Sequence, residues 1–175
     1  MAIGNKLPRL SPLVFTIPMV GNVLNCHNSV VLSVLWESRT FQPTLQDLTG
    51  LPMGSPAIIK LMLPYGTQMS RPRFFGQVAL EPDSVVVFVK ASGDPGHSCV
   101  ALDAHRIGGY NQLDWFSRPG LQNQYTEHNA REFVWKSKGK SVKAGSGGHE
   151  HTIISVPAAE ALKVLRQVLR VGRSR

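Results

Sequence analysis

Cys26 stands among small polar residues, in Asn25-Cys26-His27-Asn28-Ser29, and an apolar run from Val30 to Trp36 follows at once. The pattern puts a thiol on the first turn of a buried helix. There, unpaired N–H groups and the positive end of the helix dipole stabilise a thiolate. Further on, Gly93-Asp94-Pro95-Gly96-His97-Ser98-Cys99-Val100-Ala101-Leu102 delivers a histidine from a turn to the start of an apolar strand. Tyr110-Asn111-Gln112-Leu113-Asp114-Trp115 then offers a carboxylate. A thiol, an imidazole to take its proton and an acid to hold the imidazole are the parts of a nucleophilic cysteine site. Asp114 is the expected orienting group, with Asn111 or Gln112 in its place if the strand register differs. Asp103 lies too far along the His97 strand to bend back. The backbone N–H of Cys26 and the side chains of Asn22 or Asn25 are the expected oxyanion donors. Against this stands a plainer reading of Cys26 as a small buried hydrophobe. Cys99 is two residues beyond His97, faces the same side of the strand and reads as core.

The elements that position these groups follow from local signals. Gly21-Asn22 turns the chain into the Cys26 helix, which should run to about Ser38 and lie in a core, because Val30, Val31, Val34 and Leu35 all need cover. Leu13–Ile17 reads as a short strand, and Thr44–Thr49 as a short helix capped by Gly50. Ser55-Pro56 opens another helix, which stops before Pro64. Phe74–Leu80, Val85–Lys90, His97–Leu102, Gly109–Trp115, Arg131–Trp135 and Thr152–Val156 favour strands. Lys136–Gly148, rich in Lys, Gly and Ser, reads as an exposed loop. Pro157 begins a last helix with Ala161, Leu162, Leu165, Val168 and Leu169 on one stripe. Helices first and an antiparallel sheet afterwards predict a single α+β domain over residues 1–175, with residues 1–12 as an extended leader.

Composition narrows the function classes. The 175 residues hold 42% hydrophobic and 17% charged side chains, a balance suited to a folded globule. Two cysteines are too few for a disulfide scaffold or an all-sulfur zinc site. His149-Glu150-His151 could bind a metal only with help from His128 or His105, and no carboxylate-rich cluster adjoins it, so no metal or other cofactor is expected. Neither a phosphate-binding glycine loop nor an HExxH helix is present. No basic stretch leads into an apolar one at the amino terminus, and no apolar run is long enough to span a bilayer. A cytoplasmic setting, that of the cell itself or of a host, is therefore the expectation. The net charge of +8 is uneven: Arg131–Arg175 carries ten Lys/Arg against three Glu, or +7, leaving +1 for everything before it. Such a region can be a solvated face, or can draw the protein to nucleic acid or an acidic protein.

Asn25-Cys26 before an apolar helix, Pro95-Gly96-His97 before an apolar strand and Leu113-Asp114 in the next strand resemble the papain-like superfamily in its divergent branches, the viral leader-type proteases and the papain-fold domains of bacterial toxins. Thr44–Leu51 is similar in kind to the corresponding stretch of the leader-type proteases. The likeness covers Cys26 to Asp114, about half the chain. It lacks the tryptophan or cysteine that commonly follows the nucleophile and the glutamine that commonly precedes it. The resemblance implies a papain-like fold and a cysteine hydrolase with Cys26, His97 and Asp114 as its triad. Such an enzyme cleaves peptide or isopeptide bonds, or deamidates glutamine, through a thioester. The alternative is a non-enzymatic binding module whose basic residues 131–175 hold nucleic acid or an acidic protein.

Overall fold

The structure, a computed structural model, describes residues 26–37, 50–76, 79–110, 125–145 and 148–173. Helix α1 (Cys26–Glu37) and helix α2 (Ser55–Met62) come first. The short strand β1 (Thr67–Met69) and the single-turn helix α3 (Arg71–Phe75) follow. The chain then runs through β2 (Val85–Val89), β3 (Pro95–Ala101), β4 (Arg106–Tyr110) and β5 (Tyr125–Asn129). Next come β6 (Val134–Lys136), β7 (Ser141–Ala144), β8 (His149–Val156) and the closing helix α4 (Ala158–Arg173). The sheet order is β5-β4-β3-β2-β8-β7-β6, and β1 pairs with β8 beside β7. Every pairing is antiparallel.

Strand periodicity sorts the core into two halves. Along β2, Val85, Val87 and Val89 point to one face, where they join Val100 of β3, Val156 of β8 and the apolar sides of α1, α2 and α4. Val30, Val31, Leu32, Val34 and Leu35 of α1 are fully buried there. Removing each from water contributes about 1.5–3 kcal/mol, and this anchors the helix that carries Cys26. Val86 and Phe88 point to the other face, with Cys99, Ala101, Ile107 and Ile153. The sheet curls around this second cluster. His128 of β5 stacks on Phe133, just ahead of β6, at 5.5 Å, and Phe133 meets Phe88 of central β2 at 5.8 Å.

The observed architecture is thus α+β, with the two leading helices and α4 on one face of a curled antiparallel sheet. Three segments depart from expectation. Arg131–Trp135, expected as a strand, begins in a single 3-10 turn (Ala130–Glu132) and pairs only from Val134. Phe74–Leu80 was expected as a strand, but its start belongs to α3, because Pro72 sits in the first turn and Ser70 enters it with extended backbone. Where Lys136–Gly148 is expected as an exposed loop, the end of β6, a tight turn and β7 make a β-hairpin arm that ends at Ala144. Ser141, Val142 and Ala144 are buried, while exposed Lys143 supplies the lysine character that masked the strand. Positive φ at Ser137, Lys138 and Gly139 makes the tight reversal between β6 and β7. The readings of residues 1–12, Leu13–Ile17 and Thr44–Thr49 fall outside the described residues. No helix among the described residues is long and apolar enough to cross a membrane.

Candidate active site at the start of helix α1

Cys26 is the first residue of α1 and is 7% exposed. The backbone N–H groups of Ser98, His27 and Cys26 itself lie near enough to its thiol to pull its pKa down, against the larger upward effect of burial. The last two are the unpaired donors of the helix start. The Ser98 donor comes from β3 and belongs to the peptide group that joins His97 to Ser98. The helix start and the histidine strand, far apart in sequence, therefore meet at the sulfur.

The alternation of β3 explains the meeting. Val100 joins the cluster that holds α1, and Ser98 lies on the same side, where His27 Nδ1 and Ser98 Oγ are 2.8 Å apart. A hydroxyl here gives the helix start a polar contact where an aliphatic side chain would leave His27 without one. Ser29 Oγ also donates to the Cys26 carbonyl at 2.9 Å. His97 emerges on the opposite face with Cys99. It is fully buried, and its ring lies 5.7 Å from that of Phe88 at a tilt of 48°. Phe88 pairs with His97, but the next residue, Val89, pairs with Pro95, so Gly96 bulges directly before the histidine. The turn that feeds this bulge is closed by the Lys90 N–H donating to Asp94 and by Gly93 at φ 89°. Lys60 Nζ, on α2, donates to the Asp94 carboxylate at 2.7 Å and holds it below the usual carboxylate range.

The electrostatics correct one expectation. A helix start by itself would lower the Cys26 pKa, yet burial pushes this thiol up, and the three N–H donors only partly offset the loss of water. Cys99 is driven well above the ordinary thiol range, first by burial and then by proximity to Cys26. Its Sγ donates to the Val86 carbonyl at 3.6 Å. The two thiols are both free, and they differ in kind: donors converge on Cys26, whereas Cys99 is itself a donor within the core. His27 is lowered to about 4, by burial first and then by the Lys90 charge. It is neutral at neutral pH and a poor base.

Asp114, Asn111, Gln112, Asn22 and Asn25 lie outside the described residues. Asp103 sits two residues past β3, where it accepts the N–H groups of His105 and Arg106 and the Arg106 Nε at 2.8 Å. It is committed to that turn, at the far end of the strand from His97. His151 is buried, with Nδ1 3.0 Å from the His149 carbonyl, whereas His149 is exposed. Among the described residues no three His, Cys, Asp or Glu side chains converge as a metal site would require. The reading of the sequence missed the His27–Ser98 pair. His27 stood out only as a polar neighbour of Cys26, and nothing in linear order ties it to Ser98.

Comparison with protein-family models, with curated proteins and with solved structures finds no match to this chain.

Proposed function

We propose that the chain is a papain-like cysteine hydrolase acting on protein substrates. The observation that supports this reading is the place of Cys26: a nearly buried thiol that opens α1, beside the strand β3 on which His97 stands. Cys26 Sγ attacks a substrate carbonyl carbon, and His97 takes the thiol proton as the S–C bond forms. The N–H groups at the helix start stabilise the oxyanion. The C–N bond then breaks, the leaving nitrogen takes the proton from His97, and water hydrolyses the thioester to free the thiol. Cleavage of a peptide or isopeptide bond and deamidation of glutamine differ only in which C–N bond is presented. Asp114 is the proposed group that orients His97.

Burial of the thiol fits a site that stays protonated until substrate arrives. The reaction needs the imidazole within about 3 Å of sulfur in the complex, a contact that commonly tightens only when substrate binds. The His97 ring lies against Phe88 on the face of β3 away from Cys26, so this proton transfer requires the start of β3 to leave its pairing with β2 when substrate binds.

The test is incubation with a mixture of denatured proteins, with mass spectrometry reading both backbone cuts and conversion of glutamine to glutamate. Activity should vanish in Cys26→Ala and in His97→Ala and survive in Cys99→Ala. Activity that persists without Cys26 would remove the thiol from the mechanism. Absence of both products from the wild-type chain would defeat the hydrolase reading.

A further inference from the structure

On the sheet face away from α1, the curl leaves a cleft of about 530 Å³ lined by Arg71, Phe75, Arg131, Phe133 and Trp135. Its walls come from three places in the chain: α3, the turn after β5, and β6 with the residue before it. Phe75 is 44% exposed, which is unusual for so large an apolar ring. One of its faces is covered by His105, stacked at 5.6 Å and 20°. Elsewhere in the lining, Phe133 and Trp135 pack edge to face with buried Phe74 at 5.7 and 5.4 Å, which fixes that part of the wall. Arg71 and Arg131 are exposed, and among the described residues no carboxylate lines the cleft. The turn at Ser137–Lys140 crowds Arg71, since a Cβ on Gly139 would lie 3.1 Å from the Arg71 Cβ, and this brings exposed Lys138 and Lys140 to the same region.

We infer that this cleft binds single-stranded nucleic acid, with an unpaired base against the aromatic wall and its flanking phosphates on Arg71 and Arg131. The inference is independent of the hydrolase reading. An exposed ring stacked on the His105 imidazole offers a base a flat surface, and guanidinium groups beside it match phosphate oxygens. An acidic protein segment would use the arginines but leave Phe75 in water. A cleft of this size takes one base with its sugar, which a paired strand cannot supply. Sequence order hid the site because Arg71 and Phe75 lie far from the basic region after Arg131, and the curl of the sheet joins them.

The experiment is fluorescence anisotropy of labelled single-stranded RNA and DNA oligonucleotides of mixed sequence, with the full chain, across a series of salt concentrations. Wild type should bind in a salt-dependent way. Arg71→Ala with Arg131→Ala should weaken binding by at least about tenfold and flatten the salt dependence by about 1.4 in log–log slope, at about 0.7 per lost phosphate contact. Phe75→Ala should weaken binding by about fivefold or more without changing that slope, because stacking carries no counterions. All three side chains are exposed, and melting curves matching wild type establish that the variants are folded. Cys26→Ala should bind as wild type does. No binding by the wild-type chain, equal binding of duplex, equal competition by polyglutamate, or a Phe75→Ala variant that binds normally would each overturn the proposal.

Discussion

Replacing His27 with asparagine isolates the cost of burying an imidazole at the start of α1. Asparagine keeps a short polar group near Ser98 Oγ, which lies 2.8 Å from His27 Nδ1, and removes the titration. In the unfolded chain the imidazole titrates near 6.5, whereas in the fold it is held down at about 4. Between those values the unfolded chain takes up a proton that the folded chain refuses. Stability is therefore full above about pH 6.5, falls as the pH drops toward about 4, and is level with respect to this group below that. At about 1.4 kcal/mol for each pH unit, the gap between 6.5 and about 4 is worth about 3 kcal/mol. His128 and His151 are also lowered, chiefly by burial, and add slopes of the same sign that are common to both proteins. Urea unfolding of wild type and His27→Asn at about pH 7.5 and about pH 4.5 should show the variant losing about 2–3 kcal/mol less over the interval. A constant offset between the two proteins reports packing and is irrelevant; the difference in slope is the measurement. Superimposable slopes, or an NMR midpoint for His27 near the ordinary 6.5, would refute the burial argument.

Two further outcomes follow from the same region. Pulsed alkylation of the native protein with iodoacetamide should modify Cys26 before Cys99, and the Cys26 rate should keep rising above about pH 9, because burial raises both thiols and Cys99 the further; mapped labelling of Cys99 first would reverse the assignment. Gly109→Ala should destabilise the fold by about 1–3 kcal/mol in denaturant unfolding, since the added Cβ would lie 2.9 Å from the Cys99 Cβ within a packed core; an unchanged midpoint would mean that β3 and β4 separate freely there.

Elements with strong local signals were legible in the sequence. The apolar run after Cys26 sets α1 at Cys26–Glu37, against an expected end near Ser38. Ser55-Pro56 and Pro64 bracket α2, and Pro157 precedes α4. Strand β2 was visible as a valine-rich run between turns, and β3 as a short apolar stretch after the Pro95-Gly96 turn. What was illegible depended on partners distant in the chain. β1, β5 and β7 are short or polar and earn their strand state from neighbours: Tyr125–Asn129 exists as a strand because β4 pairs with it, and Ser141–Ala144 because β8 does. Residue types paired Cys26 with His97, but the alternation of β3 could not be read from type: Ser98 faces the start of α1, and His97 faces Phe88 on the other side. The degree of burial at Cys26 could not be read from its polar neighbours, since His27 is itself buried and faces Ser98.

The last strand of the sheet in sequence is not last in space. β2 through β5 form one run of neighbours and β6 through β8 another, and β8 is the seam, paired with β2 on one side and with β7 and β1 on the other. A chain emerging from the ribosome can zip β2–β5 together early, yet the β2 edge stays open until residues 149–156 are out. Such closure, across more than fifty residues, is the kind of long-range pairing that slows folding, and until it forms an apolar valine edge lacks its partner. The curl that shapes the arginine–aromatic cleft, and the Val156 cover that α1 needs beneath it, both arrive with that strand. Synthesis of the seam therefore marks the moment at which the two faces of the molecule come into being together.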